Sequence, residues 1–345
     1  MFYIRADANE IIGTGHVMRC LSIAEEMRRH GEDVTFIIAD ERAQKLIDEK
    51  RFDMICLHSI WDNLEHEIDE LVQVIKEQQI QSILIDSYYV TRTYLSELRK
   101  YTKLIYVDDL VMFPYSVDML INYNIFADDK KYQELYGTAY EGTEFVLGCQ
   151  YAPLRKEFLA CKRSASGMVH RILITSGGTD QYNLIGTLLD EMQHQNWFET
   201  VETQVIMGRF NVNRESLEEK WNEYSNVKLH SNVSNMSDYM KMCDIAVSAG
   251  GVTTYELCVC GIPTIMYSLA DNQLEMVNEV ERRRLMYYTG DVRTDMKQCV
   301  RNIVSKINEL RDNTELREEL SERMMHTIDG NGCKRLVHRI IEFVG

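Results

Sequence analysis

The chain has 345 residues, 45% hydrophobic and 27% charged, and its 54 acidic against 38 basic residues leave a net charge of −16. This length suits two domains of about 150 residues better than a single core. The acidic balance argues against a nucleic-acid groove, which wants clustered lysine and arginine, and no run approaches the roughly 20 apolar residues of a membrane span.

Phe2–Ala6 reads as a buried strand reached directly from Met1, with no leader-like pattern before it, so a cytoplasmic protein is expected. The nine cysteines are scattered without a Cys-x-x-Cys pair, which fits a reducing compartment and argues against a disulfide framework or a zinc knuckle. A helix follows at His16–His30, with Val17, Leu21, Ala24 and Met27 on one face and Gly31 as its stop. Strands at Val34–Ile38, Met54–Leu57, Ser82–Asp86, Leu104–Val107 and Met119–Ile121 then alternate with helices at Glu41–Glu49, Leu64–Gln78 and Arg92–Lys100.

The pattern restarts after the polar, small-residue stretch Cys161–Gly167. Strands are expected at Arg171–Thr175, Thr203–Met207, Val227–Leu229, Ile245–Val247 and Thr264–Tyr267. Helices are expected near Asn183–Gln195, Glu215–Tyr224, Met236–Met242, Thr253–Cys260 and Gln273–Arg283. From Thr294 the tail reads as helix, broken near Gly330-Asn331-Gly332. Alternation of this kind predicts an α/β protein of two Rossmann-like, doubly wound domains, residues 1–160 and 168–345. Ligands of such sheets bind beyond the carboxyl ends of the strands, so the two halves must face a common cleft if both loop sets serve one ligand.

Two glycine-bearing loops carry the chemistry. The first, Asp7 to His16, ends in Gly13-Thr14-Gly15-His16. It fails as a dinucleotide fingerprint, because the third glycine would fall at Met18, and it lacks the Lys-Ser/Thr ending of a P-loop. It does let backbone approach a ligand and places His16 at a helix start, where a neutral ring can accept a proton; the alternative is a packed or capping histidine. The second, Ser248-Ala249-Gly250-Gly251, follows a strand and opens a helix whose N–H groups suit a diphosphate. Glu256, one turn on, either accepts ribose hydroxyls or sits on a solvated helix face.

Weaker candidates flank these. Ser176-Gly177-Gly178-Thr179-Asp180 is a first βα turn of the downstream half, either a ligand loop or an ordinary turn with Asp180 as cap. Asn272 and Gln273 are cap residues or amide contacts to ligand hydroxyls. Asp86-Ser87-Tyr88, Val107-Asp108-Asp109 and Asn122-Tyr123-Asn124 lie at strand ends, where cleft residues and helix caps both occur. There is no Asp-x-Asp triplet, so no metal–diphosphate clamp is expected, and no cofactor motif is present.

These residues resemble a known family. Gly13 through Leu21, including Arg19, with Ile85-Asp86-Ser87-Tyr88, Val107-Asp108-Asp109 and Leu147 through Arg155, are similar to the UDP-sugar hydrolases of pseudaminic acid biosynthesis. So are Ser176–Asp180, Ser248–Glu256 and Asn272-Gln273, in the family's order along nearly the whole chain. Ser87 stands where some members have histidine, and Pro153 interrupts a stretch that often reads Ala-Leu-Leu or Ala-Leu-Ile. The downstream half also resembles the UDP-binding half of the peptidoglycan N-acetylglucosaminyltransferase, a wider group with the two-domain GT-B architecture.

The resemblance implies metal-independent hydrolysis of UDP-2,4-diacetamido-2,4,6-trideoxy-β-L-altropyranose to sugar and UDP. His16 would be the general base activating water at the anomeric carbon. Tyr88 would lie near the sugar, Gly250 and Gly251 would hold the diphosphate, and Glu256 the ribose. Gly13, Gly15, Arg19, Asp86, Asn122, Arg155, Gly177, Gly178, Thr179, Ser248, Ala249, Asn272 and Gln273 complete the expected substrate-binding set. The partner implied is a small-molecule UDP-sugar, with no nucleic acid and no membrane insertion. Two rivals stay open: a GT-B glycosyltransferase handing the sugar to an acceptor, and a non-catalytic nucleotide-sugar-binding protein.

Overall fold

Each half of the chain folds around its own all-parallel sheet, because its strand sequences are apolar on both faces and must be covered by helices on both. The computed structural model describes residues 1–159, 161, 167–208, 210–231, 233 and 235–345. Residues 162–166, most of the polar stretch expected at the domain boundary, lie outside the described residues. Unit 1 comprises Met1–Arg155 with Asn331–Gly345, and unit 2 comprises Lys156–Gly330.

Unit 1 runs β1 (Phe2–Ala6), α1 (Gly15–Arg29), β2 (Val34–Ile38), α2 (Gln44–Glu49), β3 (Asp53–Cys56), α3 (Ile68–Glu77), β4 (Ser82–Asp86), α4 (Arg92–Leu98), β5 (Lys103–Val107), β6 (Met119–Asn122), α5 (Asp129–Tyr136) and β7 (Glu144–Leu147). Its sheet order is β3-β2-β1-β4-β5-β6-β7. Ile83, Ile85, Leu104 and Leu120 of this sheet meet Leu71, Ile75, Tyr94 and Leu98 of the covering helices in one core.

Unit 2 repeats the plan. It runs β8 (Arg171–Thr175), α6 (Leu184–His194), β9 (Glu202–Met207), α7 (Arg214–Trp221), β10 (Val227–Ser231), α8 (Met236–Met242), β11 (Ile245–Ala249), α9 (Thr253–Cys260), β12 (Thr264–Ser268), α10 (Leu274–Arg282), β13 (Tyr287–Asp291), α11 (Val292–Asp312) and α12 (Thr314–Thr327). The order β10-β9-β8-β11-β12-β13 matches the first six strands of unit 1, which carries β7 as an additional edge strand. Strand order reverses between β1 and β4 and again between β8 and β11, the switch points where such sheets bind ligands. Register sets what meets there: Ala6 is opposite Asp86, and Thr175 is opposite Ser248.

One charged residue interrupts β1. Arg5 is fully buried, donating through Nε and Nη2 to the two oxygens of Glu67 at 2.8 Å each and through Nη1 to Asp7 at 2.5 Å. Hydroxyls of Ser59 and Tyr94 also donate to Glu67, and the Ala39 N–H donates to the second oxygen of Asp7. Every charge in this cluster has a partner, which makes its burial tolerable and pins the chain leaving β1.

The structure departs from the expected domain limits. The first unit ends at Arg155 rather than near residue 160, and the last helix does not close unit 2. After Gly330, α13 (Gly332–Val344) packs in unit 1 against α1 and the turn Cys149–Tyr151. Cys333 Sγ donates to the Ser22 carbonyl at 3.2 Å, and Arg339 pairs with Glu144 at 2.6 Å. A Cβ on Gly332 would lie 2.3 Å from the Ala152 carbonyl oxygen, so only glycine permits this approach. Three elements escaped expectation: β7 and β13, short edge strands carrying Glu144 and Gly290, and α5, whose polar sequence shows little periodicity. Among the described residues no helix is long and apolar enough to cross a membrane.

Leu336 is fully buried on α13. Leu336→Ala is expected to cost about 2–5 kcal/mol of stability. Hydrogen exchange should accelerate at core amides of β1 and β4 and stay unchanged at those of β8 and β11; acceleration confined to unit 2 would contradict the assignment of this helix.

Candidate functional site

At the unit 1 switch point, the chain leaves β1, crosses Gly13 in the left-handed region (φ +72°), and enters α1 at Gly15, with no side chain capping the helix start. His16 is thereby buried over the end of β4, its Nδ1 2.6 Å from Asp86 Oδ1. One turn on, Arg19 donates through Nε to Asp86 Oδ2 at 2.5 Å and pairs with Asp109 at 2.7 Å. Burial pushes the Asp86 carboxyl up, yet the Arg19 guanidinium, then His16, and the hydrogen bonds from both outweigh it and hold the group well below the usual carboxylate range.

An ionised Asp86 only accepts, so Nδ1 of His16 carries the hydrogen between them, and in the neutral ring the lone pair is then on Nε2. The edge of the Tyr88 ring meets His16 with centroids 4.4 Å apart. The Tyr88 hydroxyl is hydrogen-bonded to Asp109; burial and this carboxylate both push its ionisation up. Asp109 also accepts from Asn124 Nδ2 at 2.9 Å.

Several residues expected to touch substrate have partners within the protein. Asp86 and Arg19 hold one another and orient His16. Asn122 is fully buried, donating to the Tyr132 hydroxyl and accepting from Asn124, because it ends an interior strand. Gly13 and Tyr88 lie in the loops around His16, Gly15 is the first residue of α1, and Arg155 is half-buried at the last position of the unit's first segment. Asp109, and Tyr123, whose hydroxyl accepts from Arg19 Nη1 at 2.7 Å, belong to the cluster; both stood in the strand-end runs noted in the sequence but not in the expected substrate-binding set. Their position just past β5 and β6 was the available signal.

In unit 2 the two glycine loops behave differently. Asp180 is fully buried and accepts from the Leu184 N–H at 2.9 Å and the Ile185 N–H at 3.4 Å, so it caps α6 from within. Burial pushes its carboxyl up to about 6, with those two N–H groups offsetting part of the rise. The exposed Gly177 and Gly178 pass over Gly208, where a Cβ would lie 2.1 Å from the Gly177 carbonyl oxygen. Gly208 is thus a required glycine that no motif in the sequence marks; its place directly after β9 was the available signal.

Val252, the N-cap residue of α9, supplies no side-chain hydrogen bond; the N–H groups of Gly251 and Val252 precede the helix, and that of Thr253 opens it. Gly250 does not join them: its N–H donates to the Tyr267 carbonyl at 3.0 Å, extending the β11–β12 ladder. Its requirement is steric, since a Cβ there would lie 2.5 Å from Val277 Cγ1. Of the two glycines expected at a diphosphate, Gly250 therefore has its N–H taken up by the ladder. Glu256 is buried in the first turns of α9, not on a solvated face. Ser248 and Ala249 are buried at the end of β11. Thr179 is half-buried, its carbonyl accepting from Val212, and Asn272 is exposed. Gln273 is half-buried and its Oε1 accepts from Leu269, which fixes the turn before α10.

Residues 171–335 match the glycosyltransferase family 28 C-terminal domain. The chain is 26% identical over 250 residues to the UDP-2,4-diacetamido-2,4,6-trideoxy-β-L-altropyranose hydrolase of Campylobacter jejuni, covering 71% of this chain and 84% of that protein. The resemblance read from the motifs holds. An uncharacterized protein of Methanocaldococcus jannaschii is 27% identical over 288 residues, or 79% of this chain; the chain spans just over half of that protein, 56% of its length. The crystal structure of MurG from Acinetobacter baumannii superposes with a TM-score of 0.68 at 12% identity, over 99% of each chain. The two parallel-sheet domains are thus those of a GT-B architecture.

The Asp180 carboxyl holds its proton more tightly folded than unfolded, so its stabilising contribution is complete below about pH 4 and is lost as the pH rises through about 6. Asp180→Asn keeps an acceptor for the α6 N–H groups and removes the titration. The variant should gain about 2–3 kcal/mol relative to the parent between pH 4 and pH 7. Urea unfolding at both pH values checks this, and parallel profiles would refute it.

Proposed function

We propose that the chain hydrolyses a UDP-linked diacetamido-trideoxy sugar, of the kind named for its Campylobacter relative, to free sugar and UDP without a metal. Unit 1 takes the sugar and supplies the base, and unit 2 takes the nucleotide. The observation that carries this reading is the His16–Asp86 pair: Asp86 fixes the hydrogen on Nδ1 and leaves Nε2 to accept a proton.

In this mechanism a water oxygen attacks the anomeric carbon while its proton passes to His16 Nε2. The bond from that carbon to the phosphate oxygen breaks, and UDP leaves with the electron pair. Asp86 faces the imidazolium as it forms, and Arg19 keeps the carboxylate charged. The N–H groups at the start of α9 receive the diphosphate as negative charge grows on it, and Glu256 takes the ribose hydroxyls. Gly177, Gly178 and Gln273 line the nucleotide side, and Tyr88 bounds the sugar.

His16→Asn should lower turnover about 10²- to 10⁴-fold while UDP still binds. Hydrolysis in ¹⁸O water should place the label on the sugar; label on UDP would mean attack at phosphorus and would remove His16 from its role. Excess EDTA should leave the rate nearly unchanged, because backbone N–H groups and a helix end answer the phosphate charge; a strict magnesium requirement would count against that account. The match to a glycosyltransferase domain favours a second reading, transfer of the sugar to an acceptor. A transferase would give no labelled free sugar in the same experiment.

A further inference from the structure

The loop between β1 and His16 holds one side chain that the mechanism leaves unused. Asn9 is buried, and its Oδ1 accepts from the N–H groups of Ile11 at 2.8 Å and Ile12 at 3.0 Å. Its own N–H donates to the Gly13 carbonyl at 3.2 Å, closing the loop. Two donors converge on one atom of the amide, so that atom must be the oxygen; the reversed orientation would set N–H against N–H. The NH₂ group is therefore placed without ambiguity, and it is buried with no hydrogen-bond partner among the described residues.

A buried donor left unpaired costs about 1–3 kcal/mol, and the turn does not require it. Aspartate or serine would accept from the same two N–H groups without adding an orphaned amide. Nor can the loop easily swing the group into water, since Asp7, two residues upstream, is tied to Arg5 and to the Ala39 N–H. An acceptor has to be brought in. The same loop delivers His16, so that acceptor belongs to whatever the imidazole acts upon.

We propose that Asn9 is a specificity-determining residue of the sugar site, donating through Nδ2 to an oxygen of the sugar, an N-acyl carbonyl or a hydroxyl. This rests on the hydrolase reading above. Base and donor then ride on one pinned loop, so that recognition of a sugar substituent and placement of the anomeric carbon are coupled.

The test compares two ligands by calorimetry in a His16→Asn background, where turnover is suppressed: the diacetamido-trideoxy UDP-sugar and UDP alone. The background protein should prefer the UDP-sugar. Adding Asn9→Asp, which keeps the acceptor for Ile11 and Ile12, should shrink that preference about tenfold or more, leaving UDP affinity unchanged and the melting temperature no lower. A preference left intact overturns the proposal. If the background protein shows no preference, the sugar site itself is refuted, and the inference with it. Should Asn9→Asp lose UDP affinity or fold poorly, Asn9→Ser, which also accepts from the turn, is judged by the same ratio.

Discussion

Much of unit 1 is organised around the carboxylate of Asp86. It is buried at the point where the sheet changes winding direction, and a charge in that position survives only with a partner. Arg19 supplies the counter-charge, leaving the imidazole of His16 to contribute a directed hydrogen bond. The guanidinium extends the order outward to Asp109, which holds Tyr88 and Asn124, and through Asn124 to Asn122. Loops from β1, β4, β5 and β6 are thus fixed relative to one ring nitrogen.

The two units share one strand order and use it differently. In unit 1 the first helix opens without a cap and presents a side chain. In unit 2 the equivalent helix is sealed by a buried carboxyl, Asp180, so its end has no charge left to offer an anion. The free N–H groups move to α9, one strand across the switch point. On the proposed reading, one strand order serves proton handling in one unit and phosphate in the other.

Strand positions and most helix positions were legible in the sequence because parallel strands buried on both faces read as apolar runs, and crossover helices show their period. His16, the glycine turns and the strand-end aspartates were legible for the same reason: loops after strands are short and chemically marked. What could not be read was partnership. Asp86 and Arg19 look like substrate contacts in a motif, and only the register of β1 on β4 shows them gripping each other. Gly250 looks like an anion-binding amide until the β11–β12 ladder is seen to consume its N–H. Gly208 and Gly332 matter through atoms far away in sequence, which no local pattern reveals. The membership of α13 was hidden for that reason too.

That last helix has a consequence for how the protein is made. The strands of unit 1 leave the ribosome before unit 2, yet the element that covers α1 emerges only after all of unit 2. Unit 2 can complete its core during synthesis, while unit 1 waits with an apolar face uncovered until residues 331–345 emerge. Changes at the carboxyl terminus should accordingly be felt first around the histidine near the amino terminus, and nascent chains paused before residue 331 should attract chaperones to the older half.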